Sequence, residues 1–128
     1  MTQTARYPLT GRRYAGFAFA FLVEDLTAVD EETGEETWTA RDLTGYTARL
    51  QGRRRRAEAS ELLLTMDTDA GTITVDANGQ IRGEFPDTLT GYVPAGTWWY
   101  DLRLVPPDGD AVYYVEGPLT WKESVTTP

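Results

Sequence analysis

The chain has 128 residues and a formal net charge of −8, and it contains neither cysteine nor histidine. The length suits one domain with a core that needs no staple. The acidic balance argues against a protein that coats nucleic acid, and the missing thiol and imidazole remove disulfides, the commonest general base and the commonest transition-metal ligand.

Residues 1–14 read as a polar N-terminal arm and loop, with room for a short strand near Ala5-Arg6-Tyr7, the arm expected to order on docking, and Thr10-Gly11-Arg12-Arg13 as a loop. Ala15 to Val23 alternates cleanly: Phe17, Phe19, Phe21 and Val23 share one face, which predicts a core strand. Glu24 to Asp42 is a long connection with carboxylates crowded at Asp30, Glu31, Glu32, Glu35 and Glu36. Its turn glycine, Gly34, and Trp38 beyond it suggest an exposed hairpin. Asp42-Leu43-Thr44-Gly45 is a turn into a strand at 46–51, and Gly52 to Ser60 is a charged loop carrying Arg53, Arg54, Arg55 and Arg56.

Strands are then expected at 61–66, 72–75 and 80–85, the last two joined through Asn78-Gly79. A loop at 86–91 has room for one helical turn. Thr97 to Val105 is the strongest strand pattern, and Pro106 to Asp110 supplies the chemistry of a tight reversal into 111–116. Gly117-Pro118 reads as a break before a last short strand at 119–122. These segments predict an all-β fold, an antiparallel β-sandwich of about seven to nine short strands. It would span residues 15–123 as a single domain, with a tail at 124–128. No apolar run approaches a bilayer span and no signal peptide opens the chain, so neither membrane contact nor a cleaved leader is expected.

Little in the sequence marks catalysis. The two serines, Ser60 and Ser124, lie outside any Gly-x-Ser-x-Gly setting. Glu84 and Asp101 are acids within strands, but nothing marks them as a working pair. Asp67-Thr68-Asp69 and Asp108-Gly109-Asp110 lack the remainder of a calcium loop and read as turn aspartates. No enzyme activity, cofactor or metal is expected.

Two features point to binding. Trp98 and Trp99 are adjacent in a strand and must face opposite sides, as must Tyr113 and Tyr114. If Trp98 is core, Trp99 lies outside, and Trp99 with Tyr114 is the predicted exposed aromatic pair. Such a pair serves a second small core, a protein interface or a sugar ring. The run Arg53 to Arg56 reads either as a solvated tip, as a contact for a nucleic-acid backbone, or as the complement of the acidic cluster Glu31, Glu32, Glu35 and Glu36 on a neighbouring copy.

The aromatic strand Phe17 to Val23, the run Asp42-Leu43-Thr44-Gly45-Tyr46 into Ala48-Arg49-Leu50, and the leucine strand Glu61 to Met66 come in order. Pro94-Ala95-Gly96-Thr97 with Tyr100-Asp101-Leu102, the Asp108-Gly109 turn and a last strand after Glu116-Gly117 follow. In this order they resemble a family of small phage virion proteins with an immunoglobulin-like β-sandwich, among them the N-terminal domain of the baseplate upper protein. The resemblance covers roughly residues 15–122, departs at the acidic insertion 27–40, and carries no catalytic residues. It implies a structural role in a virion, assembled in the host bacterial cytoplasm, with other virion proteins and copies of itself as partners. No downstream domain follows in these residues, so a decoration, connector or collar component is expected. The alternative is a carbohydrate-binding module that takes a surface glycan on its exposed tryptophan and tyrosine.

Overall fold

Two long strands form the spine of a computed structural model that describes residues 4–57 and 59–128. They are β10 (Gly96–Val105) and β11 (Val112–Lys122), paired antiparallel from Gly96↔Trp121 to Leu104↔Val112. Nine further strands precede them in the chain. They are β1 (Ala5–Arg6), β2 (Leu9–Arg12), β3 (Phe17–Leu22), β4 (Glu24–Val29) and β5 (Glu36–Ala40), then β6 (Thr47–Arg53), β7 (Leu62–Asp67), β8 (Ile73–Val75) and β9 (Gln80–Phe85). One helical turn, α1 (Asp87–Thr90), comes before β10. The described residues thus hold eleven strands, and the protein is all-β, as its alternating patterns require.

The largest sheet runs β1-β11-β10-β6-β7, with β2 also paired to β11; β3-β9-β8 form a second sheet and β4-β5 a separate pair. Period-two alternation sends Trp98, Tyr100, Leu102 and Leu104 of β10 inward, and Ala48 and Leu50 of β6 with them. Phe17 and Phe19 of β3, Ile73 of β8 and Ile81 of β9 join the same buried cluster. Trp121 closes it. The indole ring lies 5.1 Å from Phe17, and its Nε1 donates to the Thr90 carbonyl at 3.2 Å.

Three expectations are corrected here. Thr10-Gly11-Arg12-Arg13 is not a free loop: Leu9–Arg12 is β2, parallel to β11 from Leu9↔Leu119 to Lys122↔Arg12. With β1 also parallel to β11, the large sheet is mixed and not purely antiparallel. Nor does Gly117-Pro118 break the final strand. β11 runs through it, and Pro8 and Pro118, which cannot donate, both fall in the gap between the Arg6↔Glu116 and Leu9↔Leu119 pairings. Glycine is required at 117, because a Cβ there would meet the backbone carbonyl of Tyr7.

Candidate functional site

The outward face of the large sheet carries a cleft of about 330 Å³. Because Trp98 and Tyr100 are buried, Trp99 between them must point out, with Asp101 and Arg103 beyond it. Register then sets its neighbours: Trp99 lies opposite Arg53 on β6, and Asp101 lies between Gln51 and Glu116. The loop after β6 forms the far wall with Arg55, Arg56 and Ala57.

That loop has a built backbone. Ser60 Oγ donates to the carbonyls of Ala57 at 2.9 Å and Arg55 at 3.0 Å, and the Arg53 guanidinium donates to the Ser60 carbonyl at 2.9 Å. Arg54 is committed to Glu61 at 2.8 Å and lies over the Trp98 ring. Arg56 reaches Glu116 at 3.4 Å and stands 5.3 Å from the Trp99 ring, with Arg6 at 5.8 Å from the same ring. Trp99 is therefore half-buried and flanked by guanidinium groups rather than bare. The cleft offers cationic donors beside an aromatic ring, which suits a partner presenting carboxylates and an apolar side chain.

Burial pushes the Asp101 carboxyl above the ordinary aspartate range; the neighbouring Glu116 carboxylate adds to the rise and Arg53 opposes it. The folded state then holds this proton more tightly than the unfolded chain does. Stability from this group is present at low pH and is lost as pH climbs through the raised value. The variant Asp101→Asn should show a flatter stability profile just above the ordinary carboxylate range, and a higher midpoint at neutral pH. Urea titrations of both proteins across that range would test it; parallel profiles would sink the assignment.

The structure corrects one half of the predicted aromatic pair. Leu102 pairs with Val115 but Arg103 pairs with Tyr113, so Tyr114 is an extra residue in a β-bulge. The bulge returns Tyr113 to the outer face, where it lines the cleft, and turns Tyr114 towards Phe21 at 6.5 Å. Tyr114 Oη donates to the Leu22 carbonyl at 2.8 Å, so its role is to tie β11 to β3. Unbroken alternation cannot reveal a one-residue bulge, which is why Tyr113 is missed in the sequence.

Tyr7 is not in a loose arm. Its amide donates to the Glu116 carbonyl at 2.9 Å, and its carbonyl accepts from Tyr100 Oη at 2.6 Å. Thr4 Oγ1 is bound to the Tyr113 carbonyl at 2.8 Å, while residues 1–3 of the expected arm lie outside the described residues. Of the two strand acids, Asp101 lies in the cleft and Glu84 on β9 of the other sheet, so they form no pair. Asp67 accepts from the amide of Ala70 at 2.7 Å, the behaviour of a turn aspartate.

The acidic connection forms the β4–β5 hairpin. Its tip is capped by Asp30, whose Oδ1 accepts from the amides of Glu32 at 2.8 Å and Thr33 at 3.1 Å. Leu26 lies opposite Trp38 and Val29 opposite Glu36, with a bulge near Thr27 between the two pairs. The bulge brings Leu26, Val29 and Trp38 to one face, where they are 46%, 54% and 52% exposed. Trp38 Nε1 donates to Glu36 at 3.1 Å. At its root the amide of Val23 donates to the Gly79 carbonyl at 2.8 Å and that of Arg41 to the Val23 carbonyl at 2.9 Å. Gly79 needs its positive φ of 77°, and a Cβ there would stand 2.5 Å from the Val23 carbonyl.

Within one chain the two charge clusters are not brought together. Among the described residues, no ion pair joins Glu31, Glu32, Glu35 or Glu36 to Arg53, Arg54, Arg55 or Arg56. Neither a family model nor a curated protein matches this chain.

Proposed function

We propose that this protein is a non-enzymatic structural component of a tailed-phage or phage-derived particle. In this reading it is an immunoglobulin-like β-sandwich that acts as a capsid decoration or head-to-tail connector through its subunit interfaces. The sandwich assignment is supported by two sheets that contribute to one buried cluster. The virion assignment is supported by the ordered resemblance of residues 15–122.

The observation that carries an interface role is the β4–β5 hairpin. It is a two-stranded pair outside both larger sheets, with Leu26, Val29 and Trp38 turned to solvent. A lone hairpin has little stability of its own, and a grouped apolar face at its surface marks a place where a partner sits. The glycan reading has weaker support, because Arg6 and Arg56 stand against the ring that a sugar would need.

The copy number of this chain in purified particles, measured by mass spectrometry against the major capsid protein, tests the proposal. Hundreds of copies identify a decoration protein, and about a dozen or fewer a connector or collar part that obeys the rotational symmetry of the tail. Absence from the particle overturns the reading. Glycan binding lost in Trp99→Ala, with the fold intact, would then take its place.

A further inference from the structure

We propose that copies of this chain assemble head to tail, the β4–β5 hairpin of one copy docking onto the arginine-bearing outer face around Trp99 of the next. This deepens the structural reading above and rests on it.

The two surfaces are complementary. The hairpin tip carries Asp30, Glu31, Glu32, Glu35 and Glu36 with no basic residue among positions 30–36. The outer face of the large sheet and its adjoining loop carry Arg6, Arg49, Arg53, Arg55, Arg56 and Arg103. Among the described residues, the carboxylates of that face are Asp67, Asp69, Asp101 and Glu116, and in the loop Glu61 is already paired with Arg54. Around Trp99 itself Arg6, Arg53, Arg55 and Arg56 outnumber Asp101 and Glu116, so the cleft is locally basic on a protein of net charge −8. Arg103 lies directly opposite Arg49, but Asp67, 3.7 Å from Arg49, and Asp69 stand beside that pair, so the excess of positive charge is confined to the Trp99 cleft.

The apolar parts also correspond. Trp38, Leu26 and Val29 need cover, and the cleft beside Trp99 and Tyr113 has about 330 Å³. The hairpin is set in shape before it docks, by the Asp30 cap and by Thr27 Oγ1, which lies 3.1 Å from Thr39 Oγ1. Less ordering entropy is therefore lost on binding. Its root is tied to Gly79 beside the smaller sheet through the Val23 amide, and no hydrogen bond joins hairpin to face among the described residues. Two hairpins facing each other would oppose like charges. The favourable contact is therefore heterologous, and it propagates from copy to copy into a ring or a filament.

Sedimentation of the full chain over a range of concentration and salt tests this, with two one-sided variants. Trp38→Ala with Glu31→Gln and Glu32→Gln removes the hairpin surface; Arg55→Ser with Arg56→Ser removes the receiving surface. Near-UV circular dichroism of the buried tryptophans confirms that each variant folds. The wild type should self-associate, more weakly at high salt, and each variant alone should associate about tenfold or more weakly. Mixing the two variants should restore a dimer and no larger species, because one good surface remains on each.

A wild-type chain that stays monomeric at low salt overturns the docking, as does a mixture that stays monomeric while the wild type assembles. So does binding of a labelled DNA duplex to the arginine face in place of self-association. A monomeric chain that is nonetheless found in particles defeats the docking alone. A self-associating chain absent from particles defeats the virion reading alone.

Discussion

Replacing Trp121 with alanine should cost the fold about 3–5 kcal/mol. The side chain is 1% exposed, and its ring packs on Phe17 while its Nε1 holds the Thr90 carbonyl. It therefore joins β11 to β3 and to the turn before β10. Against a total stability of about 5–15 kcal/mol, that loss is large. It should appear as a lower urea midpoint with an unchanged slope. Trp121→Phe keeps most of the apolar volume and loses the hydrogen bond, so its cost should be nearer about 1 kcal/mol. Equal costs for the two variants would show that the hydrogen bond, and not the packing, is what matters there.

Gly117→Ala should produce the second-largest loss, about 1–3 kcal/mol. The new methyl group would fall on the Tyr7 carbonyl, and backbone yields less readily than the end of a side chain. The strain has one outlet, which is to lift β1 and β2 from β11. Amide exchange at Tyr7 should therefore accelerate well beyond the global effect. Tyr100→Phe is the control, since it removes only the hydroxyl that binds the same carbonyl and should cost about 1 kcal/mol. If exchange at Tyr7 follows global stability in Gly117→Ala, the strap is not an independent unit.

Local patterns reveal much of this fold. Period-two runs locate β3, β6, β7, β9 and β10, and the turn chemistry at Asn78-Gly79 and Asp108-Gly109 separates the strands beside them. The exposed acidic hairpin is also readable, because seven residues of turn-forming and charged character between two short strands leave little else to form. What escapes notice depends on distant partners. Leu9–Arg12 becomes a strand through Leu119–Lys122, and nothing within a window of a dozen residues announces that pairing. Gly117-Pro118 reads as a break because its tolerance depends on where Tyr7 and Pro8 pass. The candidate site divides in the same way. Trp99 and the arginine loop are visible from alternation and charge, whereas Tyr113 is visible only once the bulge at Tyr114 is known.

The parallel pairing of β2 with β11 has a mechanical consequence. Leu9–Arg12 and Leu119–Lys122 run side by side in the same direction, held by the Arg13–Glu123 ion pair just beyond. A pull applied through the start of β2 and the end of β11 drags the two strands past each other lengthwise. Their hydrogen bonds then bear the load together, rather than opening one at a time from an end. The smaller β4–β5 hairpin is antiparallel, with both its ends at one root, so tension there would peel it open bond by bond. The same chain thus resists being stretched along its body and yields easily at its projection.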